Sequence, residues 1–459
     1  MTNYDCVVAG GGPAGAFTAC ELARAGLDVV MVDPETSRPR LEGLGERVVQ
    51  LLRARGLEQP LAAASEPMAR SVAWAGLAST PNGERLVRRD LFDTALRQAA
   101  RHAGARLRTA RIARTLYSDP KKGVQLRLST GETVSARLMV DARGRQARSA
   151  QRLLGPKTLA ISGFLPEGGD QAGTFVASTP DGWLWSAEAP GFGRCVQICI
   201  DMEDLEGTGA AALERRMARF LNQPAAHERF RVRDFFRDRG FDATFTARSA
   251  GLVLSAPELC LPVIPVGDAA VAIDPLSGHG LFWALSSALA AVPCVLSVLE
   301  TPDRGRDLAR RFHRGRVVDT FWRQARIGRD FYRLEQGLMQ ASFWVRRAAW
   351  PDDRPAHRRE DGVSLSRRVV VENNRLVERE VLTTPQDPDG VAFVAGIPIS
   401  ALTEFIGSEA GRAPVPATPS AALRTALDWM ESRGLFRHAR HHSDVHQPPQ
   451  QATRMRDRA

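Results

Sequence analysis

Cys6-Val7-Val8-Ala9-Gly10-Gly11-Gly12-Pro13-Ala14-Gly15 passes from an apolar run into a glycine-rich turn near the start of the chain. A helical stretch ending at Ala25-Gly26 follows, and then a second apolar run, Val29-Val30-Met31-Val32, which stops at Asp33. Strand, tight turn, helix and strand make a complete βαβ unit, so the chain reads as α/β with a Rossmann-like domain. The spacing Gly10-x-Gly12-x-x-Gly15 has a physical reason at each position. Gly10 permits the turn, Gly12 lets backbone approach a pyrophosphate, and Gly15 lets helix pack on strand. The helix start, with Pro13 and Ala14 in its first turn, offers free N–H groups and a partial positive charge to phosphates. Asp33 is placed to accept hydrogen bonds from a ribose 2′-hydroxyl. Together these residues predict a dinucleotide ligand.

Working outward, 459 residues exceed the roughly 250–300 of a single core, so two or three lobes are expected. The net charge is +10, yet only Lys121, Lys122 and Lys157 are lysines and the arginines are spread along the chain. That spread argues against a nucleic-acid-binding tail and leaves two readings, coding bias and an acidic partner. The six cysteines contain no C-x-x-C pair, and Cys6 and Cys260 sit in apolar runs typical of core strands. Neither a disulfide framework nor a metal site is expected. No basic leader precedes an apolar segment and no run reaches 18 apolar residues, so a soluble, cytoplasmic protein without a membrane partner is expected.

Residues 37–46 read as a glycine- and arginine-rich loop beside the dinucleotide, and Arg47–Leu57 as an amphipathic helix. Trp74 lies on an alternating stretch that ends in the turn signal Pro81-Asn82-Gly83. Arg89 opens a helix with Leu91, Ala95, Leu96 and Ala99 at helical spacing; it either reaches cofactor phosphate or flavin, or stands exposed at the helix start. Two later stretches repeat the strand-to-turn pattern. Leu138-Met139-Val140 delivers Asp141-Ala142-Arg143-Gly144, and Pro262–Val266 delivers Gly267-Asp268. After the latter, Pro275-Leu276-Ser277-Gly278-His279-Gly280 leads into an apolar helix from about Leu281 to Leu299. Asp268 is positioned for a ribityl or ribose hydroxyl, and the second helix start for the electron-rich edge of a cofactor.

These three motifs, in this order, resemble the FAD-dependent monooxygenases of the para-hydroxybenzoate hydroxylase type, and especially their tryptophan-halogenase-like branch. The resemblance covers about the first 330 residues. It implies a glutathione-reductase-type FAD domain with an inserted β-sheet substrate domain, and no separate nicotinamide domain. It further implies that Asp268 binds the ribityl chain, that 275–280 face the isoalloxazine, and that NADH or NADPH supplies electrons. On this reading 1–150 and 250–300 form the FAD domain, with 70–90 lending strands to the substrate sheet of 155–249. Arginine- and aromatic-rich helices (301–350), a small α+β module (360–438) and a disordered tail (440–459) complete the chain. The implied chemistry is hydroxylation of an electron-rich ring by a flavin C4a-hydroperoxide, for which the protein holds the ring close and excludes water.

Trp183 and Trp185 point to one side of a strand, and with Trp74 they are candidates for an aromatic wall at the substrate site; packing as core beneath the sheet is the alternative. His279 is a candidate to donate or relay a proton beside the flavin, or a structural turn residue. The Trp183-x-Trp185 stretch resembles the halogenase W-x-W-x-I-P segment with Ile-Pro replaced. Halogenases also need a lysine between flavin and substrate, and none precedes Lys121, so oxygen transfer is favoured over halogenation. Asp181 to Ala187 and the extended C-terminal part resemble the flavoproteins that modify a protein-bound tryptophan during tryptophylquinone formation. That resemblance implies a tryptophan-containing protein substrate, docked by complementary charge. Hydroxylation of a free aromatic metabolite, reduction of an isoprenoid double bond and a non-catalytic FAD scaffold are the alternatives.

Overall fold

The computed structural model describes residues 3–36, 39–80, 83–147, 152–165, 172–205, 207, 209–223, 244–402 and 419–435. The chain divides into two units, residues 1–357 with 369–377, and residues 358–368 with 378–459.

In the first unit the strand Asn3–Ala9 lies between Val29–Asp33 and Thr133–Asp141, parallel to both. Arg106–Thr109 extends the sheet beside Val29–Asp33, and Val263–Pro265 pairs in parallel with the end of Thr133–Asp141. Gly123–Leu128 and Ile112–Asp119 add an antiparallel edge. The central strands are near-continuous apolar runs because both faces are covered. One face packs on the helices Pro13–Arg24, Arg89–His102 and Gly280–Glu300. The last of these is long and apolar enough to cross a membrane, but 72% of its apolar window is buried in the protein, as in a core helix.

Three readings change. Within the stretch read as a loop, Leu41–Leu44 is a strand, held antiparallel to Arg85–Arg88. On the Arg89–His102 helix the buried residues are Arg89, Phe92, Asp93, Leu96, Arg97 and Ala100, while Leu91 faces solvent. Cys260 is exposed, in the turn before Val263–Pro265.

A second seven-stranded sheet carries Thr244–Ser249, Thr158–Leu165, Gly193–Asp201, Gly182–Ala189, Gly173–Thr179, Arg70–Trp74 and Leu77–Ser79 in that spatial order. The period of two divides its faces. Leu184, Ile198 and Ile200 pack against Met217 and Phe220 of the helix Ala210–Leu221. Trp183 and Cys199, directly opposite one another, face the other way with Trp185 and its partner Gln197. That second face is partly roofed by the helices Pro302–Arg333 and Ser342–Ala349, whose Tyr332, Phe343 and Trp344 form an edge-to-face aromatic cluster. Trp344 Nε1–H donates to the Thr179 carbonyl at 2.9 Å, and the buried Arg347 binds Asp201 at 2.7 Å.

A hairpin of Ser364–Glu372 and Arg375–Thr383 turns at Asn373-Asn374, both at positive φ, as a two-residue turn of this kind requires. In the second unit Val394, Ile399 and Leu402 pack with Leu427 and Met430 of the helix Ala421–Ser432. The tail expected to be disordered lies outside the described residues.

Candidate active site

The parallel register brings the ends of four strands level: Ala9 sits beside Val32 and Asp141, and Asp141 beside Pro265. Beyond those carboxyl ends lies a cavity of about 1020 Å³, which continues to the tryptophan-bearing face of the second sheet. Parallel sheets of this kind bind ligands at such a crevice. The volume is at the upper end of small-molecule sites, about 300–1,000 Å³.

Local geometry explains each turn. Gly10 has φ +104°, and a Cβ there would lie 2.5 Å from the Ala142 carbonyl oxygen. A Cβ on Gly15 would collide with the Gly10 carbonyl, so Gly15 stands behind the cavity wall, where helix meets strand. Gly12 is open, with no atom within 4 Å of its would-be Cβ. It caps the first helix without a side-chain hydrogen bond and with no acidic residue in the first turn. Gly10, Gly12, Pro13 and Ala14 all line the cavity. Asp33 also lines it; its carboxylate accepts the Gly11 and Glu35 N–H groups at 2.6 and 2.8 Å.

The other two motifs meet the same space. Gly267, Asp268, Pro275, Gly278 and Gly280 line it, with Asp268 3.5 Å from Arg145. Burial pushes the Asp268 carboxyl up, and Arg145 pulls against that shift. Asp274 caps the turn 275–277 by accepting the Leu276 N–H at 2.9 Å, and Tyr332 donates to its other oxygen at 3.0 Å. The helix Gly280–Glu300 begins with no side-chain cap and no acid in its first turn.

Several expected site residues stand elsewhere. The Asp141 carboxylate is taken up by Arg143, at 2.7 and 2.9 Å, and shapes the turn; Ala142, Arg143 and Gly144 line the cavity instead. Arg89 lines the cavity but is not free for phosphate, since Asp93 and Glu42 hold it at 2.9 and 2.8 Å. Trp74 does not line it. Its ring packs on Trp344 with centroids 5.3 Å apart, and its Nε1–H donates to the Phe331 carbonyl. Trp183 and Trp185 do line the cavity, Trp183 with its rear in the aromatic cluster. The His279 ring stands outside the lining, and burial, then Arg47, Arg323 and Arg70, push its pKa down.

Sequence reading missed the charged frame of the cavity. Glu42 contacts Arg89, Arg40 and Arg248 at 2.8, 3.0 and 3.6 Å. Burial works to raise the Glu42 carboxyl, but the three guanidiniums outweigh it and hold it well below the usual carboxylate range. Arg97, one turn beyond Asp93, donates to the Gly11 carbonyl at 3.3 Å, and its Nε makes no hydrogen bond. The spacing Arg89, Asp93, Arg97 on one helix face was the available signal. On the sheet side Gln197 accepts from Arg248 at 3.1 Å and Ser162 at 3.2 Å, with Trp185 beside it.

This donor set fits a flavin dinucleotide. Two uncapped helix starts face one cavity, and Asp33 and Asp268 line it with carboxylates of the kind that bind sugar and ribityl hydroxyls. Residues 3–163 match the FAD binding domain family. The chain is 36% identical to the solved peptidyl tryptophan dihydroxylase QhpG, described as essential for tryptophylquinone cofactor biogenesis. That match has a TM-score of 0.82 and covers 95% of this chain and 100% of that one. A menaquinone reductase of Mycobacterium tuberculosis is 29% identical over 343 residues, 67% of this chain and 78% of its own. The flavin-dependent halogenase CmlS shares the fold at 17% identity and a TM-score of 0.69, over 95% of this chain and 93% of that one.

Proposed function

The chain belongs to the flavin-dependent monooxygenases, and from that premise we propose that it hydroxylates the indole ring of a tryptophan held in a polypeptide, during tryptophylquinone formation. One observation carries the reading: the 36% identity with a peptidyl tryptophan dihydroxylase runs through both units and the whole of that protein. The name of that relative points to two hydroxyl groups rather than one.

In this proposal Gly12, Pro13 and Ala14 would hold the pyrophosphate of FAD, Asp33 its adenosine ribose and Asp268 its ribityl chain, and residues 275–280 would border its ring. When bound and reduced by NADH or NADPH, the flavin supplies activated oxygen to an electron-rich carbon. The chain's own work is placement. Trp183 and Trp185 offer flat apolar faces to an indole, beside Gln197, whose Oε1 is held by Arg248 and Ser162. His279, off the cavity lining, is given no proton-transfer role.

Halogenation is disfavoured by the same cavity. Lys121, Lys122 and Lys157 are all exposed and none lines it. The free thiols, five of six buried, suit a reducing cytoplasm, where we place the protein. The deciding experiment is mass spectrometry of a tryptophan-containing subunit or peptide after incubation with the protein, FAD, NAD(P)H and O₂, with free tryptophan alongside. Oxygen added to the polypeptide alone is the expected result. Oxygen added only to the free ring would move the assignment to a small-molecule hydroxylase.

A further inference from the structure

Many arginines of the first unit are paired with carboxylates. Arg47, Arg70 and Arg323 are among those that form no ion pair among the described residues, and they are set apart by where they stand. They come from three elements, the helix Glu46–Ala54, the strand Arg70–Trp74 and the helix Pro302–Arg333. All three charges bear on His279, at the start of the apolar helix. Arg47 lies over the Phe282 ring at 5.5 Å, and Arg70 lines the cavity with a buried Nε that has no hydrogen-bond partner. The His279 Nδ1 is likewise buried without a partner.

Arg323 continues this cluster onto the outer face of its helix. Arg316, Arg323, Ile327, Phe331 and Leu334 recur at helical spacing and form one stripe. Arg316 is exposed above Trp283, and Phe331 and Leu334 are 46% and 55% exposed, large values for apolar side chains. Asp319 and Asp330 fall at the same helical spacing; Asp330 is taken up by Arg329 at 2.6 Å, and neither forms an ion pair with Arg323 among the described residues. A cationic mouth thus leads into an apolar strip, both beside the cavity end where 275–280 and the paired tryptophans meet.

We propose that this surface docks the polypeptide substrate, and that it selects segments carrying carboxylates near the target tryptophan, with an apolar side chain seated on Phe331 and Leu334. The inference rests on the function proposed above and names the chemistry of its substrate. Like charges left unpaired at a rim are costly to the free protein and are satisfied by an acidic partner, which also accelerates association.

The test uses the full-length, FAD-loaded protein and two fluorescent synthetic peptides. Each has a central tryptophan, flanked in one by Glu and Asp and in the other by Gln and Asn. The acidic peptide should bind about tenfold more tightly at low salt, and the double variant Arg47→Glu, Arg323→Glu should abolish the preference. Neither residue lines the cavity, and the flavin absorbance of the variant checks that its fold is intact. Equal binding of the two peptides to the unsubstituted protein would overturn the proposal, as would a preference that survives in the variant. Oxygen incorporation into the same peptides reads the chemistry separately. An acidic peptide that binds through Arg47 and Arg323 yet gains no oxygen under turnover would sink the monooxygenase assignment and leave the docking surface standing.

Discussion

Replacing Gly12 with alanine separates folding from cofactor binding. The backbone there is extended, at φ −70° and ψ −176°, and an added Cβ meets nothing within 4 Å. Alanine is a poorer helix cap than glycine, so the FAD-free protein should lose only about 0.5 kcal/mol. The new methyl projects into the cavity, however, where the pyrophosphate is proposed to lie against the first-turn N–H groups. Pushing the phosphates out of reach of two such donors forfeits roughly 1.5–3 kcal/mol each. FAD affinity should therefore fall by about 10²–10⁴-fold. Fluorescence titration of FAD into the FAD-free protein measures the affinity, and thermal melting of the same sample measures the fold. Gly15→Ala is the contrasting control, because its Cβ would collide with the Gly10 carbonyl and should destabilise the FAD-free protein itself. A Gly12→Ala protein that binds FAD within threefold of the parent would refute the placement of the pyrophosphate.

Other substitutions probe the rest of the cavity. Asp268→Ala should weaken FAD binding by about 10–100-fold, since one charge-assisted hydrogen bond is worth roughly 1.5–3 kcal/mol; protein that purifies fully yellow would contradict the ribityl assignment. Glu42→Gln should destabilise the FAD-free protein by about 3 kcal/mol in chemical denaturation. It leaves Arg89 with Asp93 alone, while partial exposure of Arg40 and Arg248 moderates the loss. An unchanged denaturation midpoint would mean that the pairs contribute nothing net. His313 is buried with Nε2 3.1 Å from the Pro265 carbonyl, and burial pushes its pKa down to about 4. The unfolded chain therefore binds the proton first, so stability is full above pH ~6.5 and declines toward pH 4 by about 3 kcal/mol. His313→Asn should flatten that part of the pH profile, and equal slopes for the two proteins would refute the role of His313.

The parts of the site legible in the sequence are those whose chemistry is local. Gly10, Gly12 and Gly15 are dictated by one turn, and Gly267-Asp268 with 275–280 by another, so spacing alone announces them. The shared side of Trp183 and Trp185 followed from the period of two along a single strand. The charged frame was invisible because Glu42 gains its meaning only from Arg89 and Arg248, which come from other strands and helices. Leu41–Leu44 escaped as a strand because it is four residues long, holds Gly43 and is defined by its partner Arg85–Arg88. Trp74 and His279 were placed correctly on their elements but not on the right side of them. Which way a strand-end tryptophan turns is decided by what covers it, here the helices that carry Phe331 and Trp344.

The helix Pro302–Arg333 carries the docking stripe on one side and Tyr332 on the other, and Tyr332 grips Asp274, the residue that sets the turn before Gly280. A single rigid rod thus joins the outer landing place to the loop proposed to touch the flavin ring. Arrival of a partner should accordingly be audible at the cofactor as a shift in the visible spectrum of oxidised FAD before any turnover. Tyr332→Phe should mute that signal while leaving attachment intact; a spectrum that ignores saturating peptide would show that the rod transmits nothing.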